Sequence, residues 1–132
     1  MPTRNDLYAL LESHWTKGWP LSIDFNNGWV EIAFNGVERM IKVDPDIKFE
    51  QVKEKFGVMR IYYATSKPKY AKKLRAIMDE VEKQSATTCE ETGQPGVLMR
   101  RSGAYRTLNS SFVNDGWVPV QNGPFTTFIT QY

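Results

Sequence analysis

The chain has 132 residues, 41% hydrophobic and 13% aromatic, which is enough to bury a core within one domain spanning residues 1–132. Seventeen basic and fifteen acidic residues leave a net charge of +2. This balance excludes a DNA mimic and lacks the strong overall positive charge of many nucleic-acid-binding proteins.

The cysteine content fits a reducing compartment, and the hydropathy argues against export and membrane insertion. The single cysteine excludes an internal disulfide. The residues after Met1 are polar, and no run of about 18 apolar residues occurs. We therefore expect a cytosolic protein that is neither exported nor inserted into a membrane.

The first two predicted elements are a helix and a short strand. Apolar residues at helical spacing predict a helix over residues 5–16, with Asn5 or Asp6 as its N-cap. Alternating apolar residues then predict a strand over residues 21–25.

Residues 29–41 fit two patterns. Trp29, Ile32 and Val37 fit one helical face, yet apolar residues also alternate before Asn35-Gly36, a strong hairpin signal. A glycine inside a helix costs about 1 kcal/mol, and Val, Ile and Trp favour strands. The residues alone therefore favour strand, turn and strand over a helix.

Three elements are predicted next. Phe49, Val52 and Phe56 recur at helical spacing and predict a short helix. Residues 58–63 read as a strand with alternating faces. A clean apolar stripe over residues 66–84 predicts a long helix.

The last third of the chain reads as short hairpins, so the predicted fold class is α+β: a small antiparallel sheet of hairpins, one long helix and shorter helices. The final strands are too apolar to stay unpaired, so we expect each to pair with another strand, either of this chain or of another chain. The predicted strands are 87–90, 97–101, 105–108, 117–120 and 125–132.

Two blocks carry a resemblance. Residues 49–63, FEQVKEKFGVMRIYY, resemble the QVKEKFG(G/T)LRFY block of a family of small bacteriophage and prophage proteins of unassigned role. In that family a helix follows, then an S-x-x-T-C-E-x-C-G-x-P-G-x-L segment and an aromatic-x-T-L-C segment. Residues 85–98 and 105–109 occupy those places in order. The likeness covers about residues 47–109.

The resemblance implies a zinc-ribbon-like hairpin that has lost its zinc. Cys89 keeps a ligand type, whereas Thr92 and Asn109 stand at the second and third cysteines and Phe112 near the expected histidine. One thiolate cannot hold zinc, so neither a metal nor another cofactor is expected.

The resemblance has two further implications. It implies that residues 26–29 open a helix, against the hairpin reading. It also implies a phage origin, and hence the host cytoplasm as location, but no activity.

We predict no catalytic residues. Cys89 has no basic neighbour in sequence to activate it and reads as a small buried hydrophobe. The only histidine, His14, lacks an identifiable partner and reads as structural or surface-exposed. No motif for acyl transfer, zinc proteolysis or phosphate binding occurs, so a non-enzyme is predicted.

Basic residues at the start of the long helix and on the following hairpin form the predicted partner-binding surface, provided that helix and hairpin pack side by side. The plain alternative is a solvated helix face balanced by acidic residues further along. The predicted partner-binding residues are Lys69, Lys72, Lys73, Arg100, Arg101 and Arg106.

The leading hypothesis is a non-catalytic phage accessory protein that binds a host protein and inhibits or redirects host defence or host machinery. One alternative is a nucleic-acid-binding module that uses the basic helix and hairpin. Another is a small virion or scaffold component that forms a homo-oligomer through the C-terminal strand.

Overall fold

A computed structural model describes residues 1–120 and confirms the α+β class. The predicted strand at 125–132 lies outside these residues. Three short 3₁₀ turns, at Asn27–Trp29, Pro68–Tyr70 and Ser110–Asp115, precede α2, α3 and β6. In chain order, the elements are α1 (Arg4–Glu12), β1 (Ile23–Asp24), α2 (Val30–Val43), β2 (Lys48–Lys55), β3 (Val58–Ala64), α3 (Ala71–Ala86), β4 (Val97–Arg101), β5 (Ala104–Leu108) and β6 (Val118–Pro119).

Helix α1 begins and ends earlier than predicted. Its N-cap is Thr3, in a capping box with Asp6: the Thr3 hydroxyl accepts from the Asp6 N–H at 3.1 Å, and the Asp6 carboxylate accepts from the Thr3 N–H at 2.8 Å. The helix stops before residue 16 because the chain there joins the first sheet. The Phe49 N–H donates to the His14 carbonyl at 2.7 Å, and the Thr16 N–H donates to the Phe49 carbonyl at 2.9 Å.

The first sheet has the order β1-β2-β3, with β1 parallel and β3 antiparallel to β2. The helix predicted from Phe49, Val52 and Phe56 is wrong, because this segment is β2. A β-bulge between Phe49 and Gln51 adds one residue, so that Phe49 and Val52 are both buried and mimic helical spacing. Phe56 is instead an exposed turn residue with a φ of 52°, followed by Gly57 with a φ of 88°.

The hairpin predicted for residues 29–41 is wrong, and the helix that the resemblance implied is present as α2. Gly36 does not turn the chain; it faces α3, where an added Cβ would lie 2.5 Å from Cγ2 of Val81. Glycine therefore allows the two helices to approach closely, and this contact outweighs its low helix propensity. Buried residues recur at helical spacing along α2: Val30, Ala33, Gly36, Val37 and Met40.

The strand at 58–63 and the long helix are confirmed as β3 and α3. The helix returns antiparallel to the strand, and its C-terminal end is tied to the start of β3 because the Met59 N–H donates to Ser85 Oγ at 2.9 Å. The main core lies between the first sheet and the three helices of residues 1–120. Its largest fully buried side chains include Trp29, Phe49, Leu7, Leu11, Met40, Ile47, Met59 and Leu74.

The second sheet has the order β5-β4-β6, with antiparallel pairing throughout. Strands β4 and β5 confirm the predicted hairpin, and β6 confirms part of the strand predicted at 117–120. The strand predicted at 87–90 is wrong, because this segment is a loop apart from one isolated bridge between Thr88 and Pro95. A small apolar cluster fills the space beside this sheet: Cys89, Met99, Leu108 and Trp117.

We predict that Gly36→Ala lowers the free energy of unfolding, although alanine is favoured by about 1 kcal/mol inside a helix. The new methyl group overlaps Val81, and overpacking of this kind costs about 1–3 kcal/mol. Val81→Ala removes the overlapping atoms, so the double variant should be less destabilised than the sum of the two single variants. Denaturant unfolding of the four proteins measures this coupling. Additive effects would contradict the packing of α2 on α3 at this point.

Candidate functional site

The segment at residues 87–96 is a closed loop beside β5. The Cys89 N–H donates to the Gln94 carbonyl at 2.6 Å, and the Gly93 N–H donates back to the Cys89 carbonyl at 2.9 Å. At the base of the loop, the Gly96 N–H donates to the Thr87 carbonyl at 3.0 Å. The loop is therefore closed on itself by backbone hydrogen bonds.

The residues at the presumed ligand positions do not fit a zinc ion. Cys89 is fully buried in the apolar cluster, and Phe112 packs against that cluster. The Asn109 side-chain amide donates to the Pro95 carbonyl at 3.1 Å, so it fastens β5 to the loop directly. Within residues 1–120, no group of three or more His, Cys, Asp or Glu side chains is placed to hold a metal ion.

The buried carboxylate of this region is Glu90, whose side chain is 1% exposed. One carboxylate oxygen accepts from the Asn26 N–H at 3.0 Å. The other, Oε1, has no hydrogen-bond partner in the described part of the chain and lies 3.6 Å from Nη1 of Arg106. Burial raises the pKa of the Glu90 carboxyl, against the opposing effect of Arg106.

The backbone of Glu90 joins the two halves of the fold. Its N–H donates to the Thr107 carbonyl at 3.0 Å, and its carbonyl accepts from the Gly28 N–H at 2.7 Å. A side chain at Gly28 would overlap the Cys89 carbonyl, so only glycine allows this approach. Sequence reasoning missed Glu90, because a glutamate in a polar turn normally reads as solvated.

The predicted helical lysines lie in a dense cationic cluster at the start of α3. Five basic residues and no acidic residue occur between residues 64 and 78. All five are exposed, and none forms a salt bridge with another described residue. We call this cluster the basic helix end: Lys67, Lys69, Lys72, Lys73 and Arg75.

The basic helix end is electrostatically unfavourable for the helix. The N-terminus of a helix carries partial positive charge, so a cation in the first turn of α3, Lys72 or Lys73, costs about 0.3–1 kcal/mol at low ionic strength. The acidic residues of α3 lie further along, where Glu80 pairs with Arg39 and Glu82 with Arg60, each at 3.0 Å. Asp79 is also exposed and lies one turn beyond Arg75, so the plain reading, a solvated face balanced by acidic residues further along, stays an alternative to a partner-binding surface.

A buried carboxylate anchors the loop before the basic helix end. Asp44 accepts from the Ser66 N–H at 2.8 Å, from the Ser66 hydroxyl at 2.5 Å and from the Asp46 N–H at 3.2 Å. Burial opposes ionisation of Asp44, but the bonds from Ser66 and Asp46, with Lys67 nearby, hold the pKa of this carboxyl below its ordinary value. The start of α3 is thus fixed to the end of α2.

The predicted hairpin arginines do not share one face. Strand register places Arg101 and Arg106 on one face and Arg100 on the other. The Arg101 guanidinium lies 4.5 Å from the centre of the Trp117 ring and donates to the Asp115 carbonyl at 2.9 Å.

Arg101 and Arg106 line a cleft of about 950 Å³, but this cleft is not purely cationic. Glu91 and Asp115 also line it. Arg106 Nη1 lies 3.4 Å from a carboxylate oxygen of Glu91 and so is partly neutralised.

The structure does not bring the lysines and the hairpin arginines together. The hairpin is joined to the β2–β3 turn, where Thr107 Oγ1 donates to the Gly57 carbonyl at 2.6 Å. The C-terminal end of α3 lies at this end of the fold, and a helix of 16 residues is about 24 Å long. Lys69, Lys72 and Lys73 therefore lie at the opposite end of α3 from the hairpin.

The lone histidine and cysteine occupy structural positions. His14 Nδ1 lies 3.2 Å from the Ile47 carbonyl oxygen, next to the pairing of residues 14–16 with β2. Cys89 is buried, as predicted for a small apolar side chain.

Comparison of the chain with protein-family models, curated proteins and solved structures gave no match. Among the helices of residues 1–120, none has the length and apolar character needed to cross a bilayer. Function is therefore inferred from the chemistry and placement of the surface groups.

We predict that a chelator leaves the unfolding temperature unchanged, because packing and hydrogen bonds hold the loop. Calorimetry with and without EDTA measures this. Asn109→Ala tests the hydrogen bonds in the same way. It removes the bond from the Asn109 amide to the Pro95 carbonyl and the bond from the Ser111 N–H to the Asn109 side chain, and should lower the free energy of unfolding by about 0.5–2 kcal/mol. A fall in unfolding temperature on chelation would show that a metal supports the loop.

We also predict a pH effect from Glu90. Because its folded-state pKa is raised above the ordinary 4.5, the folded state binds the proton more tightly than the unfolded state. The stability of the wild type relative to Glu90→Gln should therefore increase as pH falls from 7 towards 4.5. Gln keeps an oxygen acceptor for the Asn26 N–H but does not titrate. Unfolding free energies of both proteins across this range measure the difference, and parallel curves would contradict a raised pKa.

Proposed function

We propose that the protein is a non-catalytic bacteriophage accessory protein that binds a host protein in the host cytoplasm and inhibits or redirects host defence or host machinery. The basic helix end carries this proposal. It is a set of exposed cations at a place where positive charge weakens the helix. A partner surface rich in carboxylates relieves that repulsion on binding.

The resemblance of residues 47–109 to small phage proteins supports the phage origin. The role is binding rather than catalysis, because the lone histidine and cysteine both serve packing or backbone contacts. Inhibition or redirection of a host process requires only a stable, specific surface.

The separation of the two cationic groups favours an acidic protein over a nucleic acid. A nucleic-acid backbone is best followed by a continuous line of cations. Here the hairpin arginines lie about a helix length from the basic helix end, beside the carboxylates Glu91 and Asp115. The nucleic-acid-binding module remains the alternative, since five neighbouring cations also attract phosphates.

We predict that Lys72→Glu/Lys73→Glu abolishes capture of the host protein from lysate while leaving the unfolding temperature equal to or above that of the wild type. The variant loses the cations that meet the partner, yet it places acidic residues where the helix dipole favours them, by about 0.3–1 kcal/mol each. Affinity purification with mass spectrometry and thermal unfolding measure the two effects.

The matched control is Lys17→Glu/Lys55→Glu, which makes the same charge change at exposed positions outside the basic helix end. It should retain capture. No specific host protein on the wild type, or equal loss in both variants, would refute the proposal. Capture that disappears on nuclease treatment would support the nucleic-acid alternative instead.

A further inference from the structure

A groove runs between β3 and α3, next to the basic helix end. Its volume is about 430 Å³, and its walls include Arg60, Tyr62 and Tyr63 from the strand, and Arg75, Met78 and Asp79 from the helix. Tyr62 is 37% exposed. The groove is therefore open to solvent and partly aromatic, unlike a closed cavity for a small molecule.

Strand β3 forms an edge of the first sheet in the described part of the chain. Alternate residues of an antiparallel strand direct their N–H and C=O groups to opposite neighbours. The Met59 N–H donates to Ser85 and not to β2, so Met59, Ile61 and Tyr63 direct their backbone groups away from β2.

The end of α3 occupies this edge only at Met59. Within residues 1–120, no hydrogen bond is formed by the outward backbone groups of Ile61 and Tyr63. These two residues carry two donors and two acceptors at the spacing of a strand pair, and because Ile61 is only 4% exposed, an added strand must enter the groove beside α3 to reach them.

The charges along the groove favour an added strand of a particular charge. At the end where β3 finishes and α3 begins, Arg75 lines the groove and the other cations of the basic helix end lie close by. At the other end, Glu82 is neutralised by Arg60 at 3.0 Å. Asp79, one turn beyond Arg75, also lines the groove, so the excess of positive charge at the end near Tyr63 comes from the neighbouring lysines of the basic helix end, and this excess suits an acidic segment.

We propose that an extended, acidic segment of a partner protein adds to the edge of β3 that no residue within 1–120 pairs with, and places its carboxylates against Arg75 and the basic helix end. This inference rests on the proposed function and specifies how the partner binds. Backbone hydrogen bonds to Ile61 and Tyr63 hold the segment, and the charges select it.

The first experiment measures amide hydrogen exchange by NMR in the free, full-length protein. The amides of Arg60 and Tyr62 point to β2 and serve as internal controls. The amides of Ile61 and Tyr63 should exchange about tenfold or more faster than these controls, because no acceptor within residues 1–120 bonds them. Equal protection of all four amides would mean that the edge is already occupied, by this chain or by a second copy, and would overturn the proposal.

The second experiment uses a random 12-residue peptide display library selected on the full-length protein. Enriched peptides should be rich in Asp and Glu and should slow exchange at Ile61 and Tyr63. Arg75→Glu should weaken them about tenfold, which corresponds to about 1.4 kcal/mol. Lys83→Glu makes the same charge change two turns along α3, away from the lining of the groove, and should leave binding unchanged.

The outcomes separate this inference from the proposed function. Peptides that leave exchange at Ile61 and Tyr63 unchanged, or a library without enrichment, would overturn strand addition. Charge-dependent capture of a host protein would still stand in that case. Loss of host capture would refute the proposed function, while the peptide and exchange results would decide separately whether the edge accepts a strand.

Discussion

The two halves of the described chain are joined through a buried acidic residue, Glu90. Its backbone bonds reach Gly28 on one side and Thr107 on the other, and its carboxylate accepts from Asn26. A buried donor or acceptor that loses its partner costs about 1–3 kcal/mol. Together with the bond from Thr107 Oγ1 to the Gly57 carbonyl, these bonds hold the second sheet on the helical core, and the close approach requires glycine at position 28.

A second buried carboxylate, Asp44, positions the surface that we propose as functional. Asp44, buried at the end of α2, holds Ser66 with two hydrogen bonds and so fixes the turn that leads into α3. The position of the basic helix end relative to α2 is therefore fixed by a buried carboxylate. The cations destabilise the N-terminus of α3, whereas the packing of α2 and α3 on the first sheet stabilises the fold.

Elements with a single, clean pattern could be predicted from the sequence. The apolar stripe of α3, the alternation of β3 and the turn between β4 and β5 each encode their structure locally. Two other segments could not be read in this way. A bulge after Phe49 gave the buried residues of β2 the spacing of a helix. Gly36 looked like a turn residue, although it lies in a helix and allows close contact with Val81. Both features depend on partners distant in sequence.

The sequence by itself determined the fold class and the cationic cluster at the start of the long helix, because composition and local spacing are sufficient for each. Only the tertiary structure decided that the lysines and the hairpin arginines lie apart, that Glu90 is buried and that one edge of β3 is open among the described residues. These properties arise from the order in which strands and helices pack, and neighbouring residues along the chain do not encode that order.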